Sequence, residues 1–115
     1  AYLEVDGKLG YYIWKDGIWE SSGISFPKLD GHPTIGYDSD LAFVDTYPNK
    51  FSQSKLYSCS LKVDSVPTEL LSVSNNPSFT GALRCDLHPR YSVPHNKIVC
   101  DLPSYTTRKI LVVDL

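Results

Sequence analysis

The chain has no methionine, no N-x-S/T sequon and no catalytic signature of the common hydrolase or nucleotide-binding families. Asn76 comes nearest to a glycosylation acceptor, but Pro77 follows it and spoils the site. Without G-x-S-x-G, H-E-x-x-H, a P-loop or a dinucleotide fingerprint, the sequence lends no support to serine hydrolysis, zincin chemistry or nucleotide use. No stretch approaches the roughly 18 apolar residues of a membrane helix, and residues 1–10 carry Glu4 and Asp6 where a signal peptide would carry positive charge. An excess of basic charge is missing too. Eleven Lys and Arg stand against 13 Asp and Glu, well mixed, for a net charge of −2, so neither nucleic acid nor a membrane surface is expected as a partner. Cysteine is scarce and odd in number. Cys59, Cys85 and Cys100 lack C-x-x-C spacing, which argues against a disulfide scaffold or zinc knuckle and for plain thiols in or near the core.

What is present is ordinary for a globular domain: 115 residues, 42% hydrophobic and 21% charged. No window sustains helical periodicity. Short apolar runs instead recur between turn signals, at residues 2–5, 10–14, 41–44, 55–61, 69–73, 97–100 and 109–113, which predicts an all-β protein. Asp6-Gly7 and Asp16-Gly17 each separate two such runs, and D-G pairs suit the type I′ turn of a hairpin. The first twenty residues therefore predict a three-stranded meander, with Trp14 and Trp19 paired across the second turn.

An internal repeat decides the fold class. Asp30-Gly31-His32-Pro33-Thr34-Ile35 returns 56 residues later as Asp86-Leu87-His88-Pro89-Arg90-Tyr91. At the same offset Leu41-Ala42-Phe43-Val44-Asp45 returns as Lys97-Ile98-Val99-Cys100-Asp101, and after a two-residue contraction the strand 55–61 returns as 109–115. The unit is a short strand opening with D-x-H-P, a turn, a strand ending in Asp, a loop, a third strand, and a fourth at residues 67–73. Four antiparallel strands in a period near 50 is the sequence form of a β-propeller blade. The expected organisation is about two and a half blades: a partial blade at 1–29, a full blade at 30–85 and a partial blade at 86–115. Such a segment is expected to be the C-terminal part of a larger propeller, and alone to self-associate or to need the remaining blades.

The D-x-H-P opening, followed by a polar turn and a strand such as 41–45, resembles the WD40-like repeat of TolB-type propellers. More narrowly, residues 84–92 and Asp45-Thr46-Tyr47-Pro48 look like the bacterial propellers related to oligogalacturonate lyase. The chain departs from that pattern at its turns, where residues 36–40 and 92–96 replace S-P-D-G-K. The resemblance covers residues 30–115. It implies that equivalent first-strand residues meet around a channel, so that His32, His88 and Arg90 converge; Arg84 and Arg90 also bracket the second D-x-H-P, a placement that suggests an anion site. That grouping would suit a divalent metal, manganese in the lyases, or the carboxylate of an acidic oligosaccharide.

Each candidate has a structural role to set beside the ligand role. His32 and His88 can equally hydrogen-bond to a neighbouring strand or to the Asp of their own motif. Asp30 and Asp86 can orient an imidazole or cap a turn. Asp45 and Asp101, at strand ends, are read as acceptors for loop amides, and His95, in an eroded turn, as solvated. Tyr47, Phe51 and Tyr105 sit in loops, where they can stack on sugar rings or cover a sheet edge. Two function classes follow: a carbohydrate-directed propeller with a histidine-held metal, or a non-catalytic propeller that serves as a protein-interaction scaffold.

Overall fold

The computed structural model describes residues 1–22, 24, 31–36, 40–62, 66–104 and 106–115. Among these the protein is all-β, and the only helical segments are two three-residue 3-10 turns, Gly81–Leu83 and Val93–His95. Ten strands form three antiparallel sheets in chain order. The first sheet contains β1 (Tyr2–Val5), β2 (Lys8–Lys15) and β3 (Ile18–Ser21). The second contains β4 (Pro33–Ile35), β5 (Leu41–Asp45), β6 (Gln53–Ser60) and β7 (Thr68–Ser74), neighbours in that order. The third contains β8 (Arg90–Ser92), β9 (Lys97–Pro103) and β10 (Arg108–Asp114). None of the three closes on itself.

Local chemistry accounts for the hairpins. Asp6 and Gly7 take φ of 50° and 75°, Asp16 and Gly17 of 49° and 88°, the double positive φ that a type I′ turn requires and that Asp and Gly tolerate. Trp14 lies directly opposite Trp19, their rings in an edge-on contact at 5.0 Å. β4 and β8 are short because the prolines of the two D-x-H-P segments have no N–H to give a ladder, so pairing starts at Pro33 and just after Pro89. β4–β5–β6 and β8–β9–β10 have the same order and antiparallel sense, as the repeat predicts.

The core lies between the sheets. Along β5, Ala42 and Val44 point to one face and Phe43 to the other, as strand alternation dictates. Ala42, Val44 and Cys59 pack with Tyr11 of the first sheet and with Ile24. Phe43 and Leu56 pack with Leu87, Ile98 and Cys100 of the second repeat unit. The middle sheet is thus covered on both faces, which explains why four of the five residues of β5 are buried. The three cysteines are buried free thiols. Burial pushes Cys59 and Cys100 up from an ordinary 9.0 to about 11. A raised folded-state value stabilises the fold below the unfolded value, and that contribution is lost as pH climbs from about 9 through about 11.

Candidate functional site

The two D-x-H-P segments meet at one carboxylate. Asp45, the last residue of β5, is fully buried. Its Oδ1 accepts the backbone N–H of His32 at 2.6 Å and its Oδ2 accepts the backbone N–H of His88 at 3.0 Å. The same carboxylate lies 3.1 and 3.2 Å from His32 Nδ1. That contact turns Nε2 of His32 away from Asp45 and fixes the ring, as a carboxylate does for a metal-binding histidine. Gly31 makes the approach possible: a Cβ there would sit 2.1 Å from the Asp45 carbonyl oxygen. In the second segment the same position is Leu87, whose side chain fills the core between the second and third sheets.

His32 and His88 are brought together, with ring centroids 3.9 Å apart and planes tilted by 40°. They are not equivalent in detail. His32 is partly buried and bound to Asp45. His88 is exposed, its Nδ1 lies 3.3 Å from the Asp86 carbonyl oxygen, and its φ is 40°, a left-handed conformation that costs a non-glycine residue on the order of 1–3 kcal/mol. The hydrogen bond to Asp45 helps to hold it there. Strain of this kind concentrates at functional sites.

Asp86 completes the cluster. It is buried, and one ligand atom from each of His32, Asp86 and His88 lies within 4.8 Å of the others. Arg84 donates to Asp86 Oδ2 through Nε at 3.0 Å and Nη2 at 2.7 Å, while Oδ1 is buried with no hydrogen-bond partner among the described residues. A buried carboxylate oxygen without a partner is costly in a folded protein. The guanidinium of Arg84 also covers the ring of Tyr47 at 4.5 Å, and Tyr47 meets His32 edge-on at 5.4 Å. Hydrogen bonding to Asp86 is the first cause that raises the Arg84 pKa above its ordinary value. Beyond Tyr47 and Arg84 opens a cleft of about 330 Å³ that Asn75 and Phe79 also line.

Two imidazole nitrogens and a carboxylate oxygen form a donor set suited to zinc, iron or manganese, with the remaining positions left to ligand or water. The unpartnered Oδ1 of Asp86 and the oriented His32 fit such an ion. No family model, curated protein or solved structure matches this chain. The chemistry of the site is therefore argued from the cluster alone.

The sequence expectations divide. His32 and His88 lie side by side, and Arg84 reaches the cluster through Asp86 and Tyr47 without touching either imidazole. Arg90 does not join them: its Nη2 pairs with Asp101 at 3.0 Å, and it makes no hydrogen bond or ring contact with either imidazole. The positive φ at His88 redirects the chain just before Arg90, so sequence proximity to the histidine does not bring its guanidinium to the cluster. His95 is exposed in a 3-10 turn, as read from the sequence. Phe51 is exposed, with the Lys50 ammonium 5.0 Å over its ring. Asp30 and Tyr105 lie outside the described residues. The sequence reading missed Gly31, and it gave Asp86 no place among the ligands; two histidines three residues or fewer from an aspartate was the available signal.

Proposed function

We propose that these sheets are blades of a β-propeller that holds a divalent metal ion between its two D-x-H-P segments and uses it to bind an acidic carbohydrate. The observation that carries this reading is the buried Asp86 Oδ1, unpartnered among the described residues, beside two neighbouring imidazoles. The repetition of strand order, with each sheet packed face to face on the next, supports the blades. His32, His88 and Asp86 would hold the ion, and Asp45 fixes the His32 ring and the strained His88 backbone. Bound there, a divalent ion supplies Lewis acidity toward a uronate carboxylate, the chemistry on which uronate elimination depends. Tyr47 offers a ring face and Arg84 a guanidinium edge at the mouth of the adjoining cleft, groups that suit a carboxylated sugar.

The exposed apolar faces at Trp14, Trp19, Ile110 and Val112 favour a second reading, a scaffold whose partners are proteins. Metal titration with manganese and zinc, followed by elemental analysis after dialysis, separates the two. The expected result is one ion per chain, with affinity reduced at least about tenfold in His32→Ala, His88→Ala and Asp86→Asn. Absence of stoichiometric metal from the wild-type chain sinks the metal reading. Metal uptake without any binding of oligogalacturonate would instead favour the scaffold.

A further inference from the structure

The cleft beyond Tyr47 and Arg84 has a chemistry of its own. One wall is the loop between β5 and β6, with Tyr47 and Ser52, and the other is the segment that follows β7, with Asn75, Phe79 and Thr80. Its volume of about 330 Å³ lies at the small end of the range for ligand sites. It has room for a compact ligand.

Three of its polar groups are uncommitted. Asn75 Nδ2 donates to the Ser52 carbonyl oxygen at 3.2 Å and to Ser54 Oγ at 2.9 Å. A carbonyl can only accept, so the amide cannot be turned the other way round. Asn75 Oδ1 is therefore left buried, with no hydrogen-bond partner among the described residues. The hydroxyls of Ser52 and Thr80 likewise make no hydrogen bond among the described residues. An amide oxygen accepts, whereas a hydroxyl both gives and accepts. Together they suit a ligand whose own groups do both, such as the hydroxyls of a sugar. Tyr47 and Phe79 add aromatic surface for the C–H side of a pyranose. Ser52 holds a φ of 57°, strain of the kind that gathers at ligand sites.

Among the described residues that line the cleft, Arg84 alone is charged. Its guanidinium gives two N–H groups to Asp86 and lies over the ring of Tyr47. A carboxylate carried into the cleft would thus meet no cation that is not already paired, and burying an unpaired charge is costly. We propose that the cleft is a subsite for a neutral pyranose, and that the ligand is a mixed glycan with an uncharged sugar beside the uronate held at the ion. The uronate half rests on the metal reading above; the neutral half rests on the cleft alone.

A matched pair of probes tests the subsite: methyl galactoside and the methyl glycoside of galacturonate, which differ only in carrying a hydroxymethyl group or a carboxylate. Affinities are read by NMR titration of the full chain in EDTA, so that no ion contributes. The neutral glycoside is expected to bind at least about tenfold more tightly than the acid. Thr80→Val and Ser52→Gly are each expected to weaken neutral binding at least about threefold, the loss of one hydrogen bond. Ser52→Gly should not lower the melting temperature, because glycine takes a positive φ without strain, so weaker binding there is not unfolding. No binding of the neutral glycoside, equal affinity for the acid, or binding unmoved in both variants overturns the subsite. With manganese restored, the galacturonate glycoside is expected to bind alongside the neutral one, and displacement of either by the other overturns the mixed glycan. A chain that takes up no metal would strike the uronate half and leave the result in EDTA to decide the neutral subsite.

Discussion

Asp45→Ala is expected to lower the melting temperature by about 15 °C, while Asp101→Ala, the same substitution at the equivalent place in the repeat, lowers it by only a few degrees. Asp45 is fully buried and accepts two backbone N–H groups from different repeat segments, with the His32 ring as a third neighbour. Hydrogen bonds to a charged group contribute roughly 1.5–3 kcal/mol each. Losing two of them therefore costs on the order of 4 kcal/mol, which for a domain of this size is about 15 °C. Asp101 is one-third exposed and its side-chain partner is the guanidinium of Arg90, 61% exposed. Pairs of that kind contribute under about 1 kcal/mol. Thermal melts of the two alanine variants under the same conditions decide the matter, and equal losses at both positions would remove Asp45 from its central role.

Gly31→Ala is expected to destabilise by about 3 kcal/mol and to reduce metal affinity together with stability. The added Cβ would meet the Asp45 carbonyl oxygen at 2.1 Å, its carbonyl carbon at 3.2 Å and the Tyr11 hydroxyl at 3.3 Å. Two of the three obstacles are backbone, which cannot swing aside as a side chain can. The segment must retreat, taking the His32 N–H off Asp45 and the His32 ring out of register with His88. Overpacking of this kind usually costs about 1–3 kcal/mol, with more where backbone has to move. Gly10→Ala is the control, because its Cβ would meet only the edge of the Tyr12 ring at 3.7 Å, an ordinary contact. Denaturant unfolding of both variants gives the comparison. A Gly31→Ala protein as stable as Gly10→Ala would show that the segment has room the structure does not give it.

Much of the fold was legible in the chain because it is written in local chemistry. The D-G pairs marked hairpins since both residues of each adopt positive φ, and the recurrence of D-x-H-P with a strand ending in Asp set the order of the sheets. The site was legible in part. Two histidines at matching repeat positions do meet, but the repeat could not say that one would bind Asp45 through its ring and the other be strained at φ 40°. Which arginine reaches the cluster depends on that same backbone, and so Arg84 takes the place expected of Arg90. Gly31 was unreadable as a requirement because its neighbour, the Asp45 carbonyl, is close only in three dimensions. Asp86 was visible as an acid beside a histidine, yet its unpaired oxygen emerges only when Arg84 is seen to occupy the other one.

The two-handed grip of Asp45 also bears on the order in which the molecule assembles. Its partners lie 13 and 43 residues away along the chain, so the carboxylate is desolvated to advantage only after a short loop and a long one have both closed. Loop closure is an entropic cost met before such contacts return anything. The grip should therefore tighten after the folding barrier has been crossed. Stopped-flow measurements on Asp45→Ala are expected to show unfolding accelerated far more than folding is slowed, a low φ-value. Equal changes in the two rates would place the grip in the nucleus. Late formation makes this carboxylate a lock on the finished molecule: it governs how long the two histidines, once assembled, stay side by side.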